Sequence, residues 1–368
     1  MTKKLFVAAT GQHKGKTTCT LGIAAVLKEK GFKVGYCKPV GQNHILIGKH
    51  TVDKDVVLFE DILDFKTQPE IHSPVIIASG VTSEYIKQPE KFPFASKIKK
   101  AAAHLEDKYE VVVYEGTGHA GVGSIVGLSN AQVAKMLNAE VIVVAEGGIG
   151  STFDRLNMNL SLFREQGVAV KGVIINKVHP DKIDRVTNNL SKALEKINIP
   201  VLGALPYDKA LSFPLMGTVK GAIDGVVLLN EAQINNQVED ILAGSTLEID
   251  EFSYFQNLLL IVTYKNLSRK IEKIKAEAKK KNVDHCPLSG VIITGYKKPD
   301  NETINLDMSD DYLKKNKVPV LATDLDTYDT VVAISQIEVK INTQTPWKVT
   351  RAIGLIQNNI PIENLLQT

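Results

Sequence analysis

Residues 5–27 read LFVAATGQHKGKTTCTLGIAAVL, and this segment restricts the fold more than any other. An apolar run, Leu5 to Ala9, feeds a turn containing Gly11, His13, Lys14 and Gly15. The turn opens into a helical pattern at Lys16-Thr17-Thr18. Strand, phosphate-binding turn and helix is what this order predicts. The backbone N–H groups of such a turn point inward and the helix N-terminus carries partial positive charge, so the site suits a polyanion. In this reading Lys16 reaches the outer phosphates, the Thr17 hydroxyl holds Mg²⁺, and the nucleotide is ATP. The spacing G-x-x-x-x-G-K-[ST] asks for a first glycine where Thr10 stands; Gly11 follows one place later. The alternative is a strand-to-helix turn that binds nothing. Against it, a lysine at a helix start opposes the helix dipole unless an anion arrives. Lys14 is either a second phosphate contact or a solvated loop lysine.

A length of 368 residues suggests two domains. Residues 1–222 carry 28 Lys and Arg against 21 Asp and Glu, and residues 223–368 carry 16 against 20. The basic first part suits a phosphate-rich ligand, but the excess is diffuse and lacks the aromatic interleaving of nucleic-acid binders. Cys19, Cys37 and Cys286 have neither metal nor disulfide spacing and fit a reducing cytoplasm. No apolar run approaches 18 residues, and the N-terminus lacks a signal-peptide pattern, so no membrane association is expected.

Up to residue 206, continuous apolar runs alternate with helical patterns. Strands are expected at 5–9, 33–38, 111–115, 140–145, 172–176 and 201–205, with helices at 17–30, 95–108, 130–137, 154–166 and 182–197. This predicts an α/β fold, a doubly wound, mostly parallel sheet. MGTVKGAIDG at 216–225 reads as a linker. Beyond it, strands at 225–230, 258–263, 290–294 and 320–322, a helical turn running to residue 243, a helix at 268–281 and a closing helix at 347–358 predict a second, smaller α/β domain.

The chemistry-bearing residues fall at strand ends. Lys38 precedes Pro39 after the second strand, and Asp53 and Asp55 lie in TVDKDVVLF. Glu115 ends a buried-looking strand and is followed by Gly116-Thr117-Gly118-His119. A carboxylate there can reach Mg²⁺ while the glycines let the loop approach phosphates; the alternative is a charge solvated in a turn. Asn176 can hydrogen-bond a base edge and Pro206 can pack on a base. His119 either contacts a phosphate or caps its turn, and His285-Cys286 reads as a chance pair rather than a catalytic one.

GKTT at 15–18, KPV at 38–40, EGTG at 115–118, INK at 175–177 and GALP at 203–206 together resemble the dethiobiotin synthetase family of phosphate-loop ATPases and its relatives, the cobyrinate amidases and partitioning ATPases. The likeness spans roughly residues 3–215. It implies nucleotide contacts from Gly11, His13, Lys14, Gly15, Lys16, Thr17, Thr18 and Gly116, and an adenine framed by Asn176 and Pro206. It implies a metal shell of Thr17, Glu115 and either Asp53 or Asp55, with Lys38 facing an acceptor carboxylate or a transferred phosphate. Lys16, Lys38 and Glu115 would carry any chemistry.

ILAGS at 241–245, LLLIVTYKNLSRKI at 258–271, GVIITGY at 290–296 and PVLATDLDTYDTV at 319–331 resemble the DRTGG domain of long phosphate acetyltransferases, whose catalytic domain is absent from this chain. Two departures matter: Tyr264-Lys265-Asn266 replaces Gly-Asp-Arg, and Thr294-Gly295-Tyr296 replaces Thr-Gly-Gly. The domains implied are 1–215, the linker 216–225, and 226–368. The resemblance implies an ATP-binding regulatory or sensor protein forming a homo-oligomer. The alternative is an ATP-dependent ligase acting on a small carboxylate. A partitioning-type ATPase ranks last, because Gly11 stands where that class carries an additional lysine.

Overall fold

The computed structural model describes residues 2–243, 255–296, 310–337 and 339–367. They form two compact units, Met1–Asp208 with Ile341–Thr368, and Lys209–Lys340.

The first unit contains strands β1 (Lys3–Ala9), β2 (Val34–Cys37), β3 (Val40–Gly41), β4 (His44–Ile47), β5 (His50–Asp53), β6 (Val75–Ile76), β7 (Val111–Glu115), β8 (Glu140–Glu146), β9 (Val170–Val178) and β10 (Val201–Pro206). Six of them make one sheet in the order β10-β9-β8-β1-β7-β2, every neighbouring pair parallel. β1 runs on both sides into buried strands, and its side chains alternate between two cores. Phe6 and Ala8 pack with the helices Phe94–Lys108, Asn130–Leu137, Gly150–Glu165 and Ile183–Glu195. Leu5, Val7 and Ala9 pack with the helices Lys16–Glu29 and Lys54–Leu63. Cover on both faces explains why these strands read as unbroken apolar runs. Because the order of winding reverses at β1, the crevice beyond its carboxyl end is where such sheets place a ligand.

The chain returns to this unit at its end. The sequence placed the closing helix in the second domain; the structure packs Pro346–Asn359 on the helix Lys16–Glu29, with Ala352, Ile356 and Ile360 buried in the core of the first unit. The contact is close. A Cβ on Gly22 would lie 2.3 Å from Ile356 Cγ1 and 2.9 Å from the Ala352 carbonyl oxygen. An amphipathic stripe shows that a helix must cover something apolar, but not which sheet it covers.

The second unit carries β11 (Val226–Leu229), β12 (Asp240–Ala243), β13 (Leu258–Thr263), β14 (Leu288–Thr294) and β15 (Val320–Ala322) in the order β11-β15-β14-β13-β12. Only β11 is antiparallel to its neighbour. The expected linker instead forms the helix Met216–Ala222, whose Met216 and Val219 are buried in this unit. Likewise, the expected helical turn up to Ala243 is a short 3-10 turn, Glu231–Gln233, followed by β12. Ile271 and Ile274 pack onto the unit's own sheet. Of the ILAGS stretch, Gly244 and Ser245 lie outside the described residues. Among the described residues no helix is long and apolar enough to cross a membrane.

Ile356→Ala is expected to destabilise the first unit by about 2–5 kcal/mol, since a fully buried aliphatic side chain is lost from a helix contact that cannot collapse further. Denaturant unfolding monitored by circular dichroism checks this; a change below about 0.5 kcal/mol, the usual size of a surface substitution, would contradict the docking of that helix.

Candidate functional site

The loop between β1 and the helix Lys16–Glu29 is shaped by the ends of its neighbours. Thr10 N–H donates to the Val144 carbonyl of β8 at 3.0 Å. Gly15 caps the helix with φ +88°, and a Cβ there would sit 1.9 Å from Asn176 Nδ2. Glycine is therefore required for both backbone and space. Asn176 Nδ2 donates to the Lys14 carbonyl at 2.9 Å, and Lys177 Nζ to the His13 carbonyl at 2.8 Å. The Lys14 ammonium is ion-paired with Glu146 at the end of β8. Lys177 Nζ meets the other Glu146 oxygen at 3.2 Å. Partial burial works against ionisation of Glu146, but the Lys14 and Lys177 ammoniums outweigh it and hold the carboxyl below its ordinary value.

The first turn of the helix Lys16–Glu29 contains no acidic residue and its N-cap makes no side-chain hydrogen bond. Its end is therefore open to an anion. Thr17 Oγ1 donates to Glu115 Oε1 at 2.8 Å, and Tyr36 OH donates to Glu115 Oε2 at 3.1 Å. Glu115 has no solvent exposure. Burial raises its pKa, while Lys38, Lys16 and the Thr17 hydroxyl favour the carboxylate. Burial pushes Lys16 down, with Glu115 as the main opposing charge. Among the described residues no carboxylate lies within ion-pair distance of the Lys16 ammonium, whereas Lys14 and Lys177 each have one and Lys38 has two.

Lys38, expected to face an acceptor, instead meets Asp53 Oδ1 at 3.0 Å and is paired with Asp55. Burial opposes its charge, but Glu115, Asp55 and Asp53 raise its pKa above the ordinary value. Asp53 also caps the helix Lys54–Leu63: Oδ1 accepts from Asp55 N–H at 3.0 Å and Oδ2 from Gln42 N–H at 3.2 Å. The two aspartates are thus brought to the site, but through Lys38. Among the described residues no group of three His, Cys, Asp or Glu is arranged to hold a metal ion. Thr17 and Glu115 remain the adjacent pair of oxygen donors, a set that fits an ion completed by phosphates and water.

The loop after Glu115 is held by Asn130. Its Nδ2 donates to the Thr117 and His119 carbonyls at 2.7 Å each, and its Oδ1 accepts from Thr117 N–H at 3.0 Å. A Cβ on Gly116 would lie 2.7 Å from that Oδ1. His119 Nδ1 accepts from Gly121 N–H at 3.2 Å, which is the turn-capping role. Gly11 and Thr18 lie in or beside the loop, and Pro206 pairs in register with Val178 at the end of β9.

The AAA_26 family, an AAA domain, matches residues 3–214. The chain belongs to this family. Among curated proteins, a probable cobyric acid synthase of Methanococcus vannielii is 31% identical over 58% of this chain and 48% of its own length. A phosphate acetyltransferase of Nitrosomonas europaea is 23% identical over 98% of this chain and 51% of its own length. The AAA_26 chain thus spans about half the length of the curated relatives it matches. Among solved structures, the septum site-determining protein MinD of Pyrococcus horikoshii, complexed with Mg-ADP, is 21% identical with a TM-score of 0.34, covering 58% of this chain and 84% of that one.

Sequence reasoning located the strand ends but missed three roles: Tyr36 as a donor to Glu115, Glu146 as the partner of Lys14, and Asn130 as the brace of the 116–121 loop. Glu146 followed by Gly147-Gly148 at a strand end was the available signal.

His72, whose carbonyl accepts from Lys38 N–H at 2.9 Å, gives the fold's stability a pH dependence. Burial lowers its imidazole to about 4, and Nδ1 accepts from Gln68 N–H at 2.9 Å, which a proton on that nitrogen would break. A group depressed in the folded protein protonates first when unfolded. Its contribution is therefore complete above pH ~6.5 and falls by about 1.4 kcal/mol per unit towards pH ~4. Unfolding titrations at pH 7, 6 and 5 are expected to show this decline in the wild type and a shallower one in His72→Asn; equal slopes would contradict the assignment.

Proposed function

We propose that this AAA_26 chain binds Mg-ATP on the loop 11–17 and acts as a nucleotide-responsive regulator. The reading rests most on Lys16. A partly buried ammonium at a helix N-terminus, with no carboxylate at ion-pair distance among the described residues, lies beside a Thr17–Glu115 pair. Such a cation is costly until a polyanion arrives. Lys16 would take the outer phosphate oxygens, the N–H groups of the loop would take the inner ones, and Thr17 and Glu115 would hold Mg²⁺. Bound there, the ion neutralises charge on the terminal phosphates. Asn176 retains Oδ1 for a base edge, its Nδ2 being committed to the loop, and Pro206 would pack on the base.

The regulatory part is supported by the second unit, which resembles a DRTGG domain, and by the state of Lys38. That cation is neutralised by Asp53 and Asp55 and so does not face an acceptor. Homo-oligomerisation belongs to the same proposal. A second reading, an ATP-dependent ligase activating a small carboxylate by phosphoryl transfer, is favoured by the likeness of the first unit to cobyric acid synthases. It requires Lys38 to leave its two carboxylates.

Calorimetric titration of ATP with and without Mg²⁺ is expected to give micromolar, Mg-dependent binding that falls at least about a hundredfold in Lys16→Ala, the loss of a charged contact to phosphate. Binding unaltered by the substitution would overturn the reading. Phosphate release stimulated by a carboxylate would favour the ligase over the regulator.

A further inference from the structure

We infer that Glu146 is a positioning residue of the phosphate loop: it draws the Lys14 side chain aside and anchors Lys177, which together with Asn176 holds the loop carbonyls so that the N–H groups face inward. The inference rests on the Mg-ATP reading for its purpose and on the geometry of three strand ends for its substance. Glu146 closes β8, next to β1. Its own backbone is fixed by Thr152 Oγ1, which donates to its carbonyl at 2.9 Å, and by Gly147 N–H, which donates to the Asn176 carbonyl at 2.7 Å. One carboxylate oxygen takes Lys14, drawing that side chain to the loop's outer side; the other takes Lys177 at 3.2 Å. Lys177, so held, donates to the His13 carbonyl at 2.8 Å, and Asn176 to the Lys14 carbonyl at 2.9 Å.

The consequence follows from the peptide plane. In a trans peptide the N–H points opposite to the C=O. Fixing the carbonyls of His13 and Lys14 outward, towards β9, turns the N–H groups of Lys14 and Gly15 towards the other side, where an anion would lie. Preorganised donors spare the ligand the cost of ordering the loop. Glu146 touches no ligand in this account; it acts through Lys14 and Lys177.

The sign of the effect separates positioning from simple charge. Removing one negative charge beside a polyphosphate site should tighten nucleotide binding if Glu146 acts only through its field. Positioning predicts the reverse. In calorimetric titrations of the full chain with Mg-ATP, Glu146→Gln is expected to raise Kd about tenfold, the scale of one charged hydrogen bond. Lys177→Gln should do the same, and the double variant should be no weaker than either alone, since both act through one linkage. Amide hydrogen exchange over residues 11–17 of the nucleotide-free protein should quicken in Glu146→Gln, with the thermal midpoint little changed. Unchanged or tighter binding in Glu146→Gln, or unchanged exchange in the loop, would overturn the inference. A wild type that binds no Mg-ATP, with the exchange difference intact, would remove the nucleotide reading and leave the clamp standing.

Discussion

A carboxylate with no solvent exposure must be compensated inside the protein, because its desolvation costs several kcal/mol. At Glu115 the compensation comes from four directions: the Thr17 hydroxyl from the phosphate loop, the Tyr36 hydroxyl from β2, and the ammoniums of Lys16 and Lys38. The donors come from two segments, Lys16 and Thr17 at the start of the helix after β1 and Tyr36 and Lys38 at the end of β2, so the arrangement exists only when β1, β7 and β2 stand side by side in parallel register. Tyr36 in turn stacks on Phe59 at 3.6 Å between ring centroids. This ties Glu115 to the helix that Asp53 caps and Lys38 holds. The acidic position, the loop and the edge of the sheet are therefore one connected object rather than separate motifs.

That object is asymmetric in a way that bears on function. On the Lys38 side the cation is already paired, one ammonium against the two carboxylates of Asp53 and Asp55. On the Lys14 side a single carboxylate serves two lysines. Lys16, between them, has charged neighbours but no ion-pair partner among the described residues. A chain whose flanking cations are satisfied and whose central cation is not is organised to receive an anion at one point. This is why the geometry speaks for nucleotide binding more strongly than for a second, anionic acceptor.

Much of this was legible in the AAA_26 sequence. β7 ends at Glu115, and the helix Asn130–Leu137 runs where its period puts it, because buried parallel strands and amphipathic helices leave local patterns. What was not legible is what depends on distant partners. Glu146 and Lys14 are 132 residues apart, and nothing local says that one carboxylate will take two lysines. The two-residue strands β3 and β6 and the four-residue strands of the β4–β5 hairpin are too short to leave a period. The family resemblance implies either Asp53 or Asp55 as a metal ligand; the capping of the helix Lys54–Leu63 by Asp53 appears only with the backbone. The helix Pro346–Asn359 was recognised as a helix, but its place on the first unit rests on the fit of Ile356 against Gly22, a complementarity no single segment contains.

The most direct test of the account is a crystal structure of the full chain with Mg²⁺ and a non-hydrolysable ATP analogue. The triphosphate is expected within the 11–17 loop, with Lys16 Nζ on a terminal phosphate oxygen, the Thr17 hydroxyl on the ion, and Glu115 on the ion or its water. Nucleotide bound elsewhere, or Lys16 without a phosphate contact, would contradict it.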